Sequence, residues 1–501
     1  MASVERRSSM DWLWKRSLNH YPATTQRLGY LAVAIIATIV LYYELYVTGG
    51  VAPLVLAHYK MTFLYYVNAL VIANLVGAFG SLLAGLADRW GRANLVAYGL
   101  AITGVLSLLT PLAPNKTVFV AFLVVIGLVE GVILVATPAL VRDFSPQLGR
   151  ASAMGFWSLG PVVGSIIVSF VANRTLPHLN NSWASQYYIV GVVGLVAFVV
   201  ALVGLRELAP GLRDQVMVSV DDKELVEARS ATVQPNLANP WRQMVRLDIV
   251  APALGIAIFL IVYYTAVGFF TIYLTSIFGF TTSTANGIST WYWTMDAIGL
   301  VVVGLLSDWL RVRKPFMIIG AVLAIVMTYV FMQKATQPHT SSITLTWIVS
   351  LLAIGLAIAY APWMAAFTET IEKRNPALMA TGLAVWGWLV RVTVCVSFFL
   401  LPYVVSSANT LVGAPAVTGA LKAVPPGTPP PPALLAELGK IKDAVIAAPH
   451  QWQHWWWVCI AAQLLFIPFV LPMIGRWSPK AASADLAEHQ REVAELAPTD
   501  S

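Results

Sequence analysis

The sequence is poor in charge and in cysteine. Asp, Glu, Lys and Arg make up 11% of the 501 residues, against roughly a quarter in soluble domains, which is too little charge to cover a soluble enzyme of this length. The two cysteines exclude a secreted disulfide scaffold. Apolar and aromatic residues instead supply 58% of the chain. This excludes intrinsic disorder, and the mean hydropathy of +0.73 indicates a polytopic membrane protein.

Long apolar runs recur along the whole chain. A helix that crosses a bilayer needs about 20 mostly apolar residues, and twelve segments meet this requirement. The residues before Arg27 contain no long apolar run, so we expect no cleavable signal peptide. An even number of spans places both termini on the same side. The predicted spans are 28–48, 63–87, 94–113, 118–141, 151–172, 186–205, 250–272, 285–306, 316–332, 343–368, 381–405 and 452–474.

The basic residues decide which side that is. With both termini in the cytoplasm, 23 of the 31 Lys and Arg residues fall on the cytoplasmic side and 7 on the outer side, and Arg391 lies inside a span. Positive charge marks cytoplasmic loops, so the sequence predicts a multi-pass protein of the cell (inner or plasma) membrane. The net charge of +7 is spread over these loops, which argues against a nucleic-acid partner.

The polar segment 206–249 divides the chain into a first set of six spans and a second set of six spans. The outer loop 406–450 contains the proline-rich run 425–432, for which we expect extended polyproline structure, and then a short amphipathic helix at 433–447. This loop could bind a protein partner or cap an outer vestibule. The predicted domains are an N-terminal tail (1–27), a first bundle (28–205), a cytoplasmic linker (206–249), a second bundle (250–474) and a C-terminal tail (475–501).

The two halves echo each other. Asp88 ends the second span and Asp308 ends the eighth, 220 residues later, and basic residues follow each aspartate. Repeated helical halves are a common transporter plan, with the substrate site between them.

The segment Gly85-Leu86-Ala87-Asp88-Arg89-Trp90-Gly91-Arg92 resembles the cytoplasmic loop signature of the major facilitator superfamily. The resemblance covers residues 28 to 474. It implies an all-α integral membrane protein, built of two six-helix bundles related by a pseudo-two-fold repeat. It also implies alternating-access transport of a small-molecule solute by a monomer in the bilayer, without a cofactor or a metal.

The resemblance also suggests a cytoplasmic gate. Asp88 would bind the positive end of the eleventh helix when the cytoplasmic side closes, and the neighbouring arginines would pair with nearby acids. The alternative is that these residues only set the topology. The gate residues are Asp88, Arg89, Gly91 and Arg92, with Asp308 and Arg311 in the second copy.

A Gly-Pro-x-x-Gly element at Gly160, Pro161 and Gly164 resembles one that is frequent in proton-coupled exporters. The proline can kink the helix and the glycines permit close helix contact, so a simple packing role is the alternative. Gly127 stands where the fourth span of drug exporters usually carries an arginine, which argues against that mechanism.

Four charged residues fall inside predicted spans: Glu44, Glu130, Asp296 and Arg391. Each costs about 2.5–3.5 kcal/mol at the bilayer centre on an insertion scale, so each should face a cavity or another charge. One arginine cannot neutralise three carboxylates, and an acid that holds a proton for part of the cycle is what proton coupling requires. We expect coupling through Glu44 and Asp296, with Glu130 as a further candidate. The alternatives are a static ion pair of Glu130 or Asp296 with Arg391, or a uniporter.

Helical spacing places polar and aromatic residues beside these charges. Arg391 could bind a carboxylate or phosphate or pair with an acid, and the aromatic residues could equally serve packing. The predicted substrate cavity comprises Arg391, Trp388, Tyr292, Tyr264 and Asn74.

The leading hypothesis is a secondary active transporter that is driven by protons, with a slight preference for export as the direction of transport. The alternatives are proton-coupled uptake of a small organic anion or metabolite, and a sensor that keeps the fold. The spans contain no His-Glu-x-x-His constellation, so we expect no enzyme. We interpret the cluster Trp452, Trp455, Trp456 and Trp457 as an aromatic belt at the membrane interface.

Overall fold

The computed structural model is almost entirely helical. Helices satisfy their own backbone hydrogen bonds, which is what a chain in hydrocarbon requires. The structure describes residues 14–20, 22–82, 91–144, 157–208, 239–310, 312–374, 378–425, 428–471, 473 and 477–478.

The first part of the described chain contains seven helices and two very short strands. They are β1 (Ser17–Leu18), α1 (Thr24–Gly50), α2 (Ala52–Tyr59), α3 (Phe63–Leu82), α4 (Arg92–Leu109), α5 (Lys116–Phe144), α6 (Gly160–Thr175), α7 (Trp183–Gly204) and β2 (Glu207–Leu208).

The second part of the described chain is helical from residue 240 onward. Its helices are α8 (Pro240–Met244), α9 (Leu247–Phe259), α10 (Ile261–Phe278), α11 (Thr282–Leu310), α12 (Lys314–Lys334), α13 (Ser342–Arg374), α14 (Met379–Val404), α15 (Ser407–Lys422) and α16 (Pro432–Val470).

Among the described residues, eleven helical segments are long and apolar enough to cross a membrane. The predicted fifth span corresponds to α6, of which 16 residues are described, and its predicted start at 151–156 lies outside the described residues. The seventh span is not the single helix that the sequence predicted. It runs over Leu247–Phe278 as α9 and α10, which are interrupted at Leu260, where the backbone leaves helical geometry (φ −83°, ψ 9°).

The predicted outer loop 406–450 is largely helical. Pro431 has the extended backbone expected of the proline-rich run (φ −56°, ψ 141°). The predicted short helix at 433–447, however, is the beginning of the 39-residue helix α16. At about 1.5 Å per residue α16 is about 58 Å long, roughly twice the hydrocarbon thickness of about 30 Å, and α15 packs against it. The prediction of a separate loop helix was wrong because α16 continues through Pro449 into the last span.

The tryptophan cluster is mostly a packing feature. Trp452, Trp455 and Trp456 are buried, and only Trp457 is half-exposed, at 50%. Trp455 donates a hydrogen bond from Nε1 to Thr265 Oγ1 (3.1 Å). The interpretation as an interfacial belt was therefore wrong for three of the four residues, because helical spacing turns them towards neighbouring helices.

The described chain divides into two compact units, which are not simply its two sequence halves. The first comprises described residues within 1–45, 73–164 and 187–224, and the second those within 46–72, 165–186 and 225–501. The core of the first unit joins α1, α4, α5 and α7 through residues such as Leu41, Leu100 and Ile133. In the second unit α13 packs against α11 and α12, and α16 packs against α9 and α12. The predicted bundle boundaries at 28–205 and 250–474 stay a prediction.

Candidate functional site

Two buried carboxyl groups of the first unit interact with each other. Glu44 on α1 is 3% exposed and Glu130 on α5 is 1% exposed, and the two interact electrostatically. Thr103 on α4 donates a hydrogen bond of 2.6 Å to Glu44 Oε2. Glu44 Oε1 and both carboxyl oxygens of Glu130 have no hydrogen-bond partner among the described residues.

The position of Glu44 depends on a glycine. Gly194 on α7 lies against the carboxyl, and a Cβ at that position would collide with Glu44 Oε1 and lie 3.1 Å from both Glu44 Cδ and Gly104 Cα. The carboxyl therefore fills a notch between α4 and α7. Sequence reasoning identified Glu44 but missed Thr103 and Gly194, because neither residue type is unusual in an apolar helix.

The third buried acid, Asp296 on α11, lies in the second unit and is 4% exposed. It interacts electrostatically with Tyr263 and Tyr292. Trp293 packs edge-on against both rings, at centroid distances of 5.0 Å to Tyr263 and 4.6 Å to Tyr292. Asp296 lies on α11 and Arg391 on α14, and a static pair of these two residues stays a prediction.

The predicted cavity residues differ in exposure. Tyr292 is buried, whereas Trp388 is 49% exposed, and Tyr264, Arg391 and Asn74 are partly exposed. Tyr292 and Asp296 share one face of α11, and Trp388 and Arg391 lie on α14. Asn74, on α3, belongs to the first unit. Their role in a substrate cavity stays a prediction.

At the predicted cytoplasmic gate, Asp88 and Arg89 lie outside the described residues. Gly91 has a positive φ of 88°, which is unfavourable for residues other than glycine. Arg92 begins α4, and its backbone N–H donates to Glu207 Oε2 (2.6 Å), which places an anion at the positive end of the helix. The Arg92 guanidinium donates to both carboxylate oxygens of Asp143 (2.9 and 2.8 Å).

The chain before α1 joins this cluster, which the sequence did not predict. β1 and β2 form a two-residue parallel pair, a small exception to the predicted all-helical fold. Arg16 is 1% exposed, donates to the carbonyl of Ala201 (3.0 Å), and lies over the Tyr98 ring (5.9 Å). Burial lowers the pKa of the Arg16 guanidinium. These contacts hold residues 16–18 against the ends of α7 and α4.

The second copy of the loop contains a related ion-pair cluster. Arg313 pairs with Asp308 (2.6 Å) and with Glu369 at the end of α13 (3.2 Å). Arg311 lies outside the described residues. In the first half, an arginine after the second span thus pairs with an acid at the end of the fourth span. In the second half, an arginine after the eighth span pairs with an acid at the end of the tenth span. Asp143 and Glu369, which sequence reasoning missed, could have been found as acids that close the fourth and tenth spans.

The glycines of the Gly-Pro element face α1. A Cβ at Gly160 would lie 2.8 Å from Thr38 Cγ2, and a Cβ at Gly164 would lie 2.7 Å from Tyr42 Cβ. Pro161 is the second described residue of α6. The element thus lets α6 and α1 approach closely.

Gly127 has a similar role. A Cβ there would lie 2.9 Å from the carbonyl oxygen of Ala73 on α3. This explains in steric terms why α5 carries no arginine at this position. Among the described residues, no group of three His, Cys, Asp or Glu side chains could hold a metal ion.

Comparisons with solved structures agree on the fold. A bacterial homolog of the human lysosomal transporter Spinster, in an inward-facing conformation, superposes with a TM-score of 0.63 at 17% identity, covering 91% of this chain and 100% of the other. The xylose transporter XylE of E. coli gives a TM-score of 0.56 at 15% identity, covering 80% and 98%.

Curated relatives match over shorter segments. The niacin transporter NiaP of Acinetobacter baylyi is 31% identical over 120 residues, 23% of this chain and 26% of its own length. Sugar phosphate exchanger 3 of Gallus gallus is 25% identical over 230 residues, 42% and 46%. The multidrug efflux pump LfrA of Mycolicibacterium smegmatis is 30% identical over 124 residues, 25% and 23%. The chain thus spans about a quarter to a half of the length of these relatives.

The family model of the Major Facilitator Superfamily matches residues 34–375, which is more than half of the chain. With its apolar helices and the likeness of its fold to solved transporters, this multi-pass membrane protein belongs to the Major Facilitator Superfamily.

Proposed function

We propose that the chain is a proton-coupled secondary active transporter of a small organic solute that works by alternating access. Its family and relatives are transporters, so transport in general is well supported. The observation that carries the proposal of proton coupling is the buried carboxyl pair Glu44–Glu130.

Two carboxylates buried in a membrane span carry a high electrostatic cost. Each isolated carboxylate costs at least about 2.5–3.5 kcal/mol at the bilayer centre, and the repulsion between two interacting like charges raises this cost further. Within the described residues the pair receives one hydrogen bond, from Thr103, and none of the ion pairs involves either acid. A carboxyl in such surroundings can hold a proton in one state of the cycle and release it where water enters.

Asp296 is the second candidate proton carrier, since it is also buried without an ion pair among the described side chains. One charge moved through 100 mV supplies about 2.3 kcal/mol, which corresponds to roughly 50-fold accumulation of solute at 25 °C. We propose the loop residues Asp88, Arg89, Gly91, Arg92, Asp308 and Arg311 as the cytoplasmic gate.

Export is favoured by the Gly160–Pro161–Gly164 element and by the aromatic residues near Asp296. The second candidate, uptake of a small organic anion, is favoured by Arg391, whose guanidinium suits a carboxylate or phosphate. Relatives of both kinds occur, a niacin transporter and an efflux pump. We place the protein in the cell membrane as a monomer with cytoplasmic termini, with the 406–450 segment available to a protein partner.

Transport in proteoliposomes under an imposed pH gradient tests the proposal. The probes are nicotinate, glucose 6-phosphate and ethidium, which represent an organic anion, a sugar phosphate and a lipophilic cation. We expect the gradient to drive at least one probe, and Glu44→Gln to abolish the dependence on the gradient. Glu130→Gln and Asp296→Asn should each weaken it by tenfold or more.

The matched control is Glu437→Gln, which removes an exposed carboxylate on α16 and should leave transport unchanged. Full gradient dependence in Glu44→Gln, Glu130→Gln and Asp296→Asn would rule out these acids as proton carriers.

A further inference from the structure

The hydroxyl of Thr103 has one proton and three acceptors within reach. Thr103 Oγ1 lies 2.6 Å from Glu44 Oε2, 3.1 Å from the carbonyl oxygen of Gly99 and 3.3 Å from that of Leu100. The side chain is fully buried, so water cannot easily replace any of these contacts.

The protonation state of Glu44 decides which of the three acceptors receives the hydroxyl proton of Thr103. An ionised carboxylate is the strongest of the three, because hydrogen bonds to a charged acceptor are shorter and stronger. When Glu44 instead carries a proton, its O–H can donate to Thr103 Oγ1, and the threonine proton can turn to the Gly99 carbonyl. A hydroxyl both donates and accepts, so the contact between the two residues persists in both states.

We propose that Thr103 is the positioning residue of Glu44, holding the carboxyl in place in its protonated and ionised states by reversing the direction of one hydrogen bond. This inference rests on the proposed function, in which Glu44 takes up and releases a proton.

The other groups around Glu44 do not donate a hydrogen bond to its carboxyl among the described residues. The titratable group on α5 that interacts electrostatically with Glu44 is Glu130, a second carboxyl that offers Glu44 no opposite charge. From α7 the facing residue is Gly194, which has no side chain. Tyr43, next to Glu44 on α1, is buried, and its hydroxyl has no partner among the described residues.

A second buried threonine of the first unit serves for comparison. Thr38 on α1 is also fully buried, and its hydroxyl donates to the carbonyl of Ala34 in its own helix (2.9 Å). A hydrogen bond to the carbonyl four residues earlier is the usual way for a threonine hydroxyl to be satisfied within a helix. Thr38 therefore offers a matched control: a buried threonine of the same unit whose hydroxyl bonds to its own helix.

The experiment compares Thr103→Val, Thr103→Ser and Thr38→Val in the full chain, reconstituted in lipid. Infrared difference spectroscopy over a pH titration follows the carbonyl stretch of the protonated carboxyl, which is assigned to Glu44 by its loss in Glu44→Gln. Valine keeps the shape of threonine but cannot donate to the ionised carboxylate. We expect Thr103→Val to move the midpoint of this band upward by about one pH unit.

Thr103→Ser should restore the wild-type midpoint, since it keeps the hydroxyl, and Thr38→Val should not move it. A wild-type midpoint in folded Thr103→Val would overturn the role of Thr103, even if Glu44→Gln abolishes the gradient dependence of transport. If Glu44→Gln keeps that dependence, the proposed function fails, whatever the spectra of the threonine variants show. If Thr103→Val does not fold, a midpoint in Thr103→Ser that differs from wild type by a unit or more would overturn the inference.

Discussion

A single methyl group added at Gly194 should disturb the site of Glu44. In Gly194→Ala the new Cβ would collide with Glu44 Oε1 and lie 3.1 Å from Gly104 Cα. Displacing the backbone of α4 would be costly, because α4 is packed into the core of the first unit. The carboxyl must therefore turn away, which breaks its 2.6 Å hydrogen bond with Thr103.

The size of the effect follows from three contributions. Overpacking of a filled site costs about 1–3 kcal/mol, and loss of a hydrogen bond to a charged group costs about 1.5–3 kcal/mol. Alanine gains about 1 kcal/mol over glycine in a helix. The net loss in the free energy of unfolding should be about 1.5–5 kcal/mol.

Unfolding by sodium dodecyl sulfate in mixed micelles measures this loss. The matched control is Gly387→Ala on α14, where nothing among the described residues lies within 4 Å of the added Cβ, so the helix preference alone should act and stability should rise slightly. Equal stability of Gly194→Ala and Gly387→Ala would mean that the carboxyl of Glu44 is not held against α7.

Two further substitutions test the packing of charged and aromatic groups. Asp143→Asn should cost about 1.5–3 kcal/mol, because it removes the charge that strengthens the hydrogen bonds of Arg92 to a largely buried acid (Asp143 5% and Arg92 19% exposed). In the same unfolding assay Asp248→Asn, which weakens the pair with Arg374 in which the aspartate is 42% exposed, should cost under about 1 kcal/mol; equal costs for the two substitutions would contradict the role of burial. Thr265→Val should cost about 1–3 kcal/mol, since valine keeps the shape of threonine but leaves the buried Nε1 of Trp455 without its acceptor, and an unchanged midpoint would refute the role of that bond.

Composition and the recurring apolar runs were enough to predict a helical membrane protein. A run of about 20 apolar residues has few alternatives in a bilayer, and the Asp88–Arg92 segment added the family resemblance, which the match over residues 34–375 confirms. The interruption at Leu260 was not predictable, because no glycine or proline marks it.

The candidate site was only partly predictable. Charges inside spans are rare enough to identify Glu44, Glu130 and Asp296 directly. Their partners were not identifiable, because Thr103 and Gly194 matter through distances that only packing decides. The buried tryptophans of α16 show the same limit, since a Trp-rich helix end fits an interfacial belt and an interior cluster equally well.

The two copies of the arginine–acid contact differ in how water reaches them. In the first, Asp143 is 5% exposed, whereas in the second, Asp308 and Glu369 are 65% and 45% exposed. Dissolved ions screen exposed charges over about 8 Å at physiological ionic strength and screen buried ones far less. The two contacts should therefore respond differently to the medium: raising the salt concentration should weaken the ion pairs of Arg313 and leave the ion pair of Arg92 with Asp143 nearly intact.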